Sequence, residues 1–289
     1  MSQGTAPPPF AEREWRAIFI LPVQIFKEDL TKSYYLQYHD INQMSVGHMA
    51  DFRILKAADS ALVVEFGSVI DRRISDRVLA LAAALEEARL PGVTEVIATF
   101  RSLSVNYDPL TTTGSELEQA ITSFVDKPAQ SAHHKRLWTI PACYDPRFAP
   151  DIEDVAKAKG LSIAEVAAFH AGTQYHVYMI GFVPGYPYMG DLPDKLQLPR
   201  RSDPRLRVPP GSLAIATSMT AVYPHESPGG WHLIGTSPVR FFDAASAKGS
   251  LLGPGDGVKF EPVTPEEFDH IRKAVERNDY IPDSTELTA

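Results

Sequence analysis

The stretch from Tyr175 to Phe260 constrains the fold most. Short apolar segments at 177–182, 213–216, 231–234, 239–242 and 257–260 are separated by glycine and proline at close intervals. Proline removes a backbone donor and blocks a helix interior, and glycine is the costliest other residue in one. Helical periodicity does not return until Pro265. Many short strands with regular turn signals predict a β-barrel or sandwich.

The chain before this stretch reads differently. Residues 52–55 and 61–66 read as strands, joined by a turn at Asp59-Ser60. A helix follows with Ile74, Val78, Leu81 and Leu85 on one face, ended by Pro91-Gly92. Residues 93–100 and 102–107 read as two more strands, and Ser115-Glu116-Leu117-Glu118 as a capping box opening a second helix to about Val125. Strand-strand-helix-strand-strand-helix predicts a small α+β sandwich with helices on one sheet face. The polar run 126–135 reads as a linker. Residues 137–143 then read as a strand and 151–159 as a helix stopped by Gly160. Ser162 and Glu165 form a capping box for a helix ending near Gly172. Residues 265–276 read as a terminal helix, followed by a frayed end. In the first fifty residues, Pro7-Pro8-Pro9 reads as extended, and 15–21 and 34–38 as strands without local partners. They form either an added layer or an extension that meets another subunit. The expected organisation is an N-terminal extension over 1–50, an α+β domain over 51–126, a β-rich domain over 136–276 and a C-terminal tail over 277–289.

A length of 289 residues suits two domains, since single cores rarely grow beyond ~250–300 residues. With 28 basic and 36 acidic residues, the net charge of −8 argues against nucleic acid or an anionic membrane as partner of the whole chain. One cysteine, Cys143, excludes an internal disulfide and suits a reducing compartment. No apolar run approaches the ~20 residues that span a bilayer, and residues 1–10 do not read as a secretory signal. A cytoplasmic location is expected.

Three segments carry chemistry. The first, 181–190, sets Phe182, Pro184, Gly185 and Tyr188 in a rigid loop where backbone approaches a neighbour closely. It is either a corner with packed aromatics or a ligand-facing loop. It lacks the spacing and lysine of a phosphate loop. The second, 199–212, holds Arg200, Arg201, Arg205 and Arg207, followed by Pro209 and Gly211. Guanidinium forks suit carboxylates and phosphates. In an acidic chain the cluster reads as a substrate- or phosphate-binding site, with some of its arginines paired structurally to Asp191, Asp194 or Asp203. The third, 223–231, contains Tyr223, His225, Glu226, Ser227, Gly229, Gly230 and Trp231. Adjacent Ser and His do not make a triad, and no G-x-S-x-G elbow surrounds Ser227. His170, near a helix C-terminus, suits the helix dipole and a structural role. It joins Tyr188, Arg201 and Arg205 among the candidates for catalysis. Nine histidines form no HExxH, Cys143 has no CxxC partner, and no metal site is predicted.

GFVPGYPYMGDL, PRRSDPRLRVPPGS and YPHESPGGWHLIGTSPVRFFD, closing with the run from Gly253 to Phe260, resemble the allophanate hydrolase subunit 1 family. Its members include the 5-oxoprolinase B subunit and a sporulation-kinase inhibitor. The resemblance implies a ferredoxin-like N-terminal domain followed by a cyclophilin-like β-barrel. It implies two partners, a C-like subunit with a homologous barrel and an A-like subunit. It also implies a reaction, opening of 5-oxoproline to glutamate with ATP hydrolysis, carried out only with those partners. ATP, with Mg2+, is then bound by the assembled complex, and this chain carries no biotin. A lactam carbonyl is a poor electrophile. Phosphorylating its oxygen readies C5 for water, and such chemistry needs cations around phosphoryl oxygens and a grip on the substrate carboxylate. Two alternatives within the family are a carboxyltransferase or allophanate-hydrolase-type subunit of a urea-utilising or biotin-dependent system, and a non-catalytic inhibitor of a histidine kinase. Where many relatives carry arginine after a glycine, this chain reads Gly235-Thr236-Ser237-Pro238. The first fifty residues have no counterpart in the family pattern.

Overall fold

The computed structural model describes residues 52–125 and 135–287. The readings made for 1–50 and for most of the linker lie outside them. In the first lobe the chain runs β1 (Arg53–Lys56), β2 (Ala61–Glu65), α1 (Arg72–Ala88), β3 (Val93–Ala98), β4 (Ser102–Tyr107) and α2 (Gly114–Thr122). Alternation along β2 and β4 buries Leu62, Val64, Leu103 and Val105 on one sheet face. Val78, Leu81 and Leu85 of α1 and Leu117 and Ile121 of α2 cover that face. The sheet is antiparallel in the order β1-β2-β4-β3. Thus β4 lies between β2 and β3, which α1 connects. A ferredoxin-like order adds its last strand after the second helix; here the fourth strand, β1, precedes β2. The helix α2 is capped two residues earlier than expected. The Thr113 hydroxyl accepts from the Glu116 amide at 3.3 Å, and Glu116 accepts from the Thr113 amide at 2.9 Å.

The second lobe contains β5 (Arg136–Ala142), α3 (Ile152–Lys159), α4 (Ile163–Ala171), β6 (Tyr175–Ile180), β7 (Pro187–Gly190) and a 3-10 turn at Asp194–Leu196. Next come β8 (Arg205–Val208), β9 (Ser212–Ala216), β10 (Met219–Val222), β11 (Ser227–Gly229), β12 (His232–Thr236), β13 (Gly257–Pro262), α5 (Pro265–Glu276) and β14 (Ser284–Glu286). Eight strands form one sheet in the order β12-β9-β10-β7-β6-β13-β5-β14, and β11 pairs with β8 in a separate ribbon. The structure is mixed α+β, but the sheet is not the closed barrel implied by the resemblance. The free edge of β5 is taken over residues 136–138 by β14. Only Cys143, just beyond β5, reaches Thr236 of β12, through two backbone bonds of 2.8 and 2.9 Å. The tail expected to fray therefore supplies a strand. Residues 239–242, expected as a strand, form none; Phe242 makes a single bridge to Ser250.

The Pro-Gly pairs shape these short elements. At Leu90-Pro91-Gly92-Val93, Val183-Pro184-Gly185-Tyr186, Pro209-Pro210-Gly211-Ser212 and Gly253-Pro254-Gly255-Asp256, the fourth amide donates to the first carbonyl. The glycine φ lies between 77° and 92° in all four. Proline second and a left-handed glycine third define a type II turn. The Asp256 carboxylate reinforces the last of these turns. It accepts from the Gly253 amide at 2.9 Å, the Arg136 amide at 2.9 Å and the Trp138 indole at 3.0 Å, tying the turn to β5.

His170 ends α4 inside the core, fully buried and stacked 4.8 Å from the Phe260 ring. Its ring nitrogens lie 2.7 Å from the Tyr144 hydroxyl and 2.8 Å from Thr220 Oγ1, and Thr220 donates to the Ala214 carbonyl. A consistent chain has Tyr144 donating to Nδ1 and Nε2–H donating to Thr220, which leaves the imidazole neutral. Burial lowers its pKa to about 3. An unfolded histidine titrates near ~6.5. Between those values the unfolded chain binds a proton that the folded chain does not, so stability falls as pH drops through the window. The slope contributed is at most ~1.4 kcal/mol per pH unit. Urea unfolding from about pH 7 to about pH 4.5 should show His170→Gln with a flatter pH dependence than the parent chain. Parallel curves would contradict this role.

Candidate functional site

The chain brings the three motif segments onto one face of the second lobe. The ribbon joins two of them: Ser227 of β11 pairs with Val208 of β8, and Gly229 pairs with Arg205, with a bulge between. Beneath it lies Asp151, immediately before α3 and only 2% exposed. Asp151 does not cap its helix. Its Oδ1 accepts from Arg201 Nη1 at 3.0 Å and Arg205 Nη2 at 2.5 Å, and its Oδ2 accepts from the Leu233 amide at 2.7 Å. The structural partner of the arginine cluster is therefore Asp151 rather than Asp191, Asp194 or Asp203 as expected. Asp191 pairs instead with Arg72 of α1, and Asp194 accepts from Gln197. Asp203 meets the cluster through its backbone, its carbonyl accepting from Arg201 Nε at 3.3 Å.

The other two arginines point outward. Arg207 is 81% exposed and lies 3.7 Å from Glu226. Arg200 sits 5.9 Å over the Trp231 ring, a cation–π placement. Trp231 belongs to an aromatic layer with Tyr186 and Tyr223, packed on Val208, Ala214, Ala221 and Leu233. Tyr186 meets Tyr223 edge-on at 5.0 Å and Tyr188 at 4.9 Å; Tyr188 in turn meets Trp231 at 6.1 Å. Phe100 of the first lobe reaches Tyr188 at 5.6 Å. The layer is thus shared by both lobes. Burial pushes the phenols of Tyr186, Tyr223 and Tyr188 above the usual tyrosine range.

Glycine permits this packing. A Cβ on Gly229 would collide with the Tyr223 hydroxyl, and one on Gly185 would stand 2.6 Å from Phe242 Cβ. Gly185 and Gly211 occupy the type II turns, and Pro184 and Pro209 are exposed beside them. The Gly230 carbonyl accepts from the Arg201 amide at 2.8 Å. Phe182 has a left-handed backbone at φ 70° and remains 59% exposed, its ring edge-on to Tyr186 at 5.4 Å. A bulky side chain in that conformation is strained, and such strain concentrates at functional sites. His170 stands apart, in the core.

Sequence reasoning missed Asp151, Phe100 and Tyr186. Asp151 was visible only as the residue that opens a helix, and nothing local revealed that its carboxylate turns toward arginines fifty residues on. Two surface grooves lie elsewhere. One, about 470 Å3, runs past Ile70, Tyr178, Asp191, Asp194, Gln197 and Met219 at the junction of the lobes. The other, about 500 Å3, is lined by Arg136, Trp138, Arg240, Lys248, Tyr280 and Ile281 among others. Neither is lined by a residue singled out in the sequence for catalysis, binding or pocket formation. Among the described residues no cluster of His, Cys, Asp or Glu is arranged to hold a metal ion, and no helix is long and apolar enough to cross a membrane.

The class follows from the extent of the match: the profile of the carboxyltransferase domain, subdomain C and D, covers residues 52–252, from the first lobe through the arginine ribbon and aromatic layer. The chain belongs to this carboxyltransferase-domain family, in agreement with the resemblance carried by its motifs. It is similar to the B subunit of the 5-oxoprolinase of Bacillus subtilis (strain 168), 38% identical over 229 residues that cover 75% of this chain and 95% of that one. It is also similar to the 5-oxoprolinase B subunit of Escherichia coli O157:H7, 34% identical over 204 residues, 71% of this chain and 93% of that one. Among solved structures, TTHA0988 matches with a TM-score of 0.64 and 35% identity over 70% of this chain, which spans 40% of that one. The K. lactis urea amidolyase matches with a TM-score of 0.67 at 20% identity over 82% of this chain and 16% of that one, a likeness of fold alone.

The ribbon geometry separates two kinds of arginine. Asp151→Ala leaves two guanidinium groups without their shared carboxylate and the Leu233 amide without its acceptor. Breaking a buried pair in this way costs about 3–5 kcal/mol. Arg207→Ala, at an exposed and loosely paired position, should stay within about 0.5 kcal/mol. Urea unfolding of the full chain measures both, and equal destabilisation by the two would refute the distinction.

Proposed function

We propose that this chain is the B subunit of an ATP-dependent 5-oxoprolinase, a cytoplasmic complex that opens 5-oxo-L-proline to L-glutamate. The observation that carries the reading is the pair of relatives bearing that name, each covered over more than nine-tenths of its length. The site's chemistry agrees with it. Arg200 and Arg207 offer cations at the surface, and the Asp151-braced arginines offer oriented donors for a carboxylate. The glycine-rich loops lack the lysine and spacing of a phosphate loop. In this reading ATP is bound by the assembly, formed with a C-like and an A-like subunit. The aromatic layer, open at Phe182 and roofed in part by Phe100, is the face on which a small cyclic amide would be held.

Purification of the complex from cells producing this chain with its partners tests the reading directly. Glutamate release from 5-oxoproline should require ATP and be absent from this chain alone. Arg200→Ala and Arg207→Ala should each lower kcat/KM about tenfold, the scale of one charge-assisted hydrogen bond, without a shift in melting temperature. A stable complex that releases no glutamate would favour a carboxyltransferase-type subunit, and recovery of a histidine kinase as the partner would favour a regulator.

A further inference from the structure

Two buried side-chain atoms have no hydrogen-bond partner among the described residues: Nη1 of Arg205 and Oγ of Ser227. Both belong to the β8–β11 ribbon, on paired strands and separated by a single bulge. Folded proteins satisfy nearly all buried polar groups, because an orphaned donor forfeits its bonds to water. Two orphans on so short a ribbon mark a place built for an acceptor that the described residues do not provide.

The surroundings define that acceptor. Arg205 can only donate, so a cation is excluded. Its Nη2 is held 2.5 Å from Asp151 Oδ1, and Asp151 is anchored in turn by the Leu233 amide and by its own amide donating to the Leu233 carbonyl at 2.9 Å. The guanidinium is thus braced through Nη2, leaving both N–H groups of Nη1 uncommitted. Ser227, 8% exposed, adds a hydroxyl donor from the neighbouring strand. A planar group with two anionic oxygens has an acceptor for each donor. Arg205 retains 24% side-chain exposure, so its guanidinium borders solvent although Nη1 is covered. Among the described residues β11 pairs with no strand but β8.

We infer that Arg205 and Ser227 grip the carboxylate of the small-molecule substrate, with Asp151 as the positioning residue that holds the arginine in place. The identity of that substrate as 5-oxoproline rests on the function proposed above; the carboxylate grip does not.

Calorimetric titration of the full chain with 5-oxo-L-proline, 2-pyrrolidinone and inorganic phosphate tests the grip. The second probe has the same lactam ring without the carboxylate. Saturable binding of 5-oxo-L-proline alone is expected, weakened about tenfold or more in Ser227→Ala and in Arg205→Lys, the latter keeping a charge for Asp151. In the assembled complex, Asp151→Asn should raise KM for 5-oxoproline with little change in kcat, whereas simple loss of folded protein would lower kcat instead. Equal affinity for 2-pyrrolidinone, preference for phosphate, no binding, or unchanged affinity in both variants would overturn the grip. So would loss of a partner subunit from the Ser227→Ala complex with 5-oxoproline affinity retained, which would assign the two atoms to a subunit contact. Carboxylate binding without turnover by the complex would overturn the oxoprolinase reading and leave the grip standing.

Discussion

A carboxylate taken out of water must be surrounded by donors, and around Asp151 those donors come from distant parts of the chain. Arg201 and Arg205 approach from the proline-rich segment, and the Leu233 amide from β12. The residue itself starts α3. Desolvating one anion and two cations has a penalty that attraction only partly offsets, so such a cluster is weak evidence of extra stability. Its effect is to leave few geometries in which all three elements are satisfied. The ribbon cannot leave Asp151 without stranding a buried charge, and β12 cannot slide without exposing the same carboxylate. The position of the arginine face follows from that one constraint.

The junction of the lobes is also polar, but looser. Arg72 at the start of α1 makes a double hydrogen bond to Asp191, and Ser75 lies 3.2 Å from His176 Nε2. Burial first, and then Arg72, lowers the pKa of His176, so the imidazole at this joint favours its neutral form. Lys135 pairs with Asp76 at the margin. Phe100 adds the apolar link, touching Tyr178 as well as Tyr188. These contacts place a residue of the first lobe against the aromatic layer of the second, so neither lobe alone forms the whole face.

Much of this was legible in the sequence where local chemistry decides the outcome. The Ser162–Glu165 capping box, the glycine stop at Gly160 and the apolar stripe of α1 are each written in a few adjacent residues, and all form as expected. The Thr113–Glu116 box was missed by two positions because Ser115 and Glu118 offer the same pattern in a better helix-forming stretch. The strands β8 and β11 could not be read, since prolines and charges inside and beside them argue against a sheet; each is stabilised by the other and by packing on the aromatic layer. Residues 239–242 erred the opposite way, apolar yet without a neighbouring edge to pair with. The arginine site was legible as chemistry but not as geometry. Composition shows four cations in an acidic chain. Only the fold shows that Asp151 occupies two of them.

That division sets the electrostatics of the face. Burial keeps the phenols of Tyr186, Tyr188 and Tyr223 protonated well past neutrality, so they contribute hydrogen-bonding dipoles and no charge. Asp151 offsets part of the charge of Arg201 and Arg205, and Glu226 lies close enough to Arg207 to screen it only in part. Arg200, spread over an indole rather than paired with a carboxylate, is the least compensated of the four. The face therefore keeps a net positive field on a chain whose total charge is −8. At physiological ionic strength that field is felt over about 8 Å. A neutral molecule gains nothing from it.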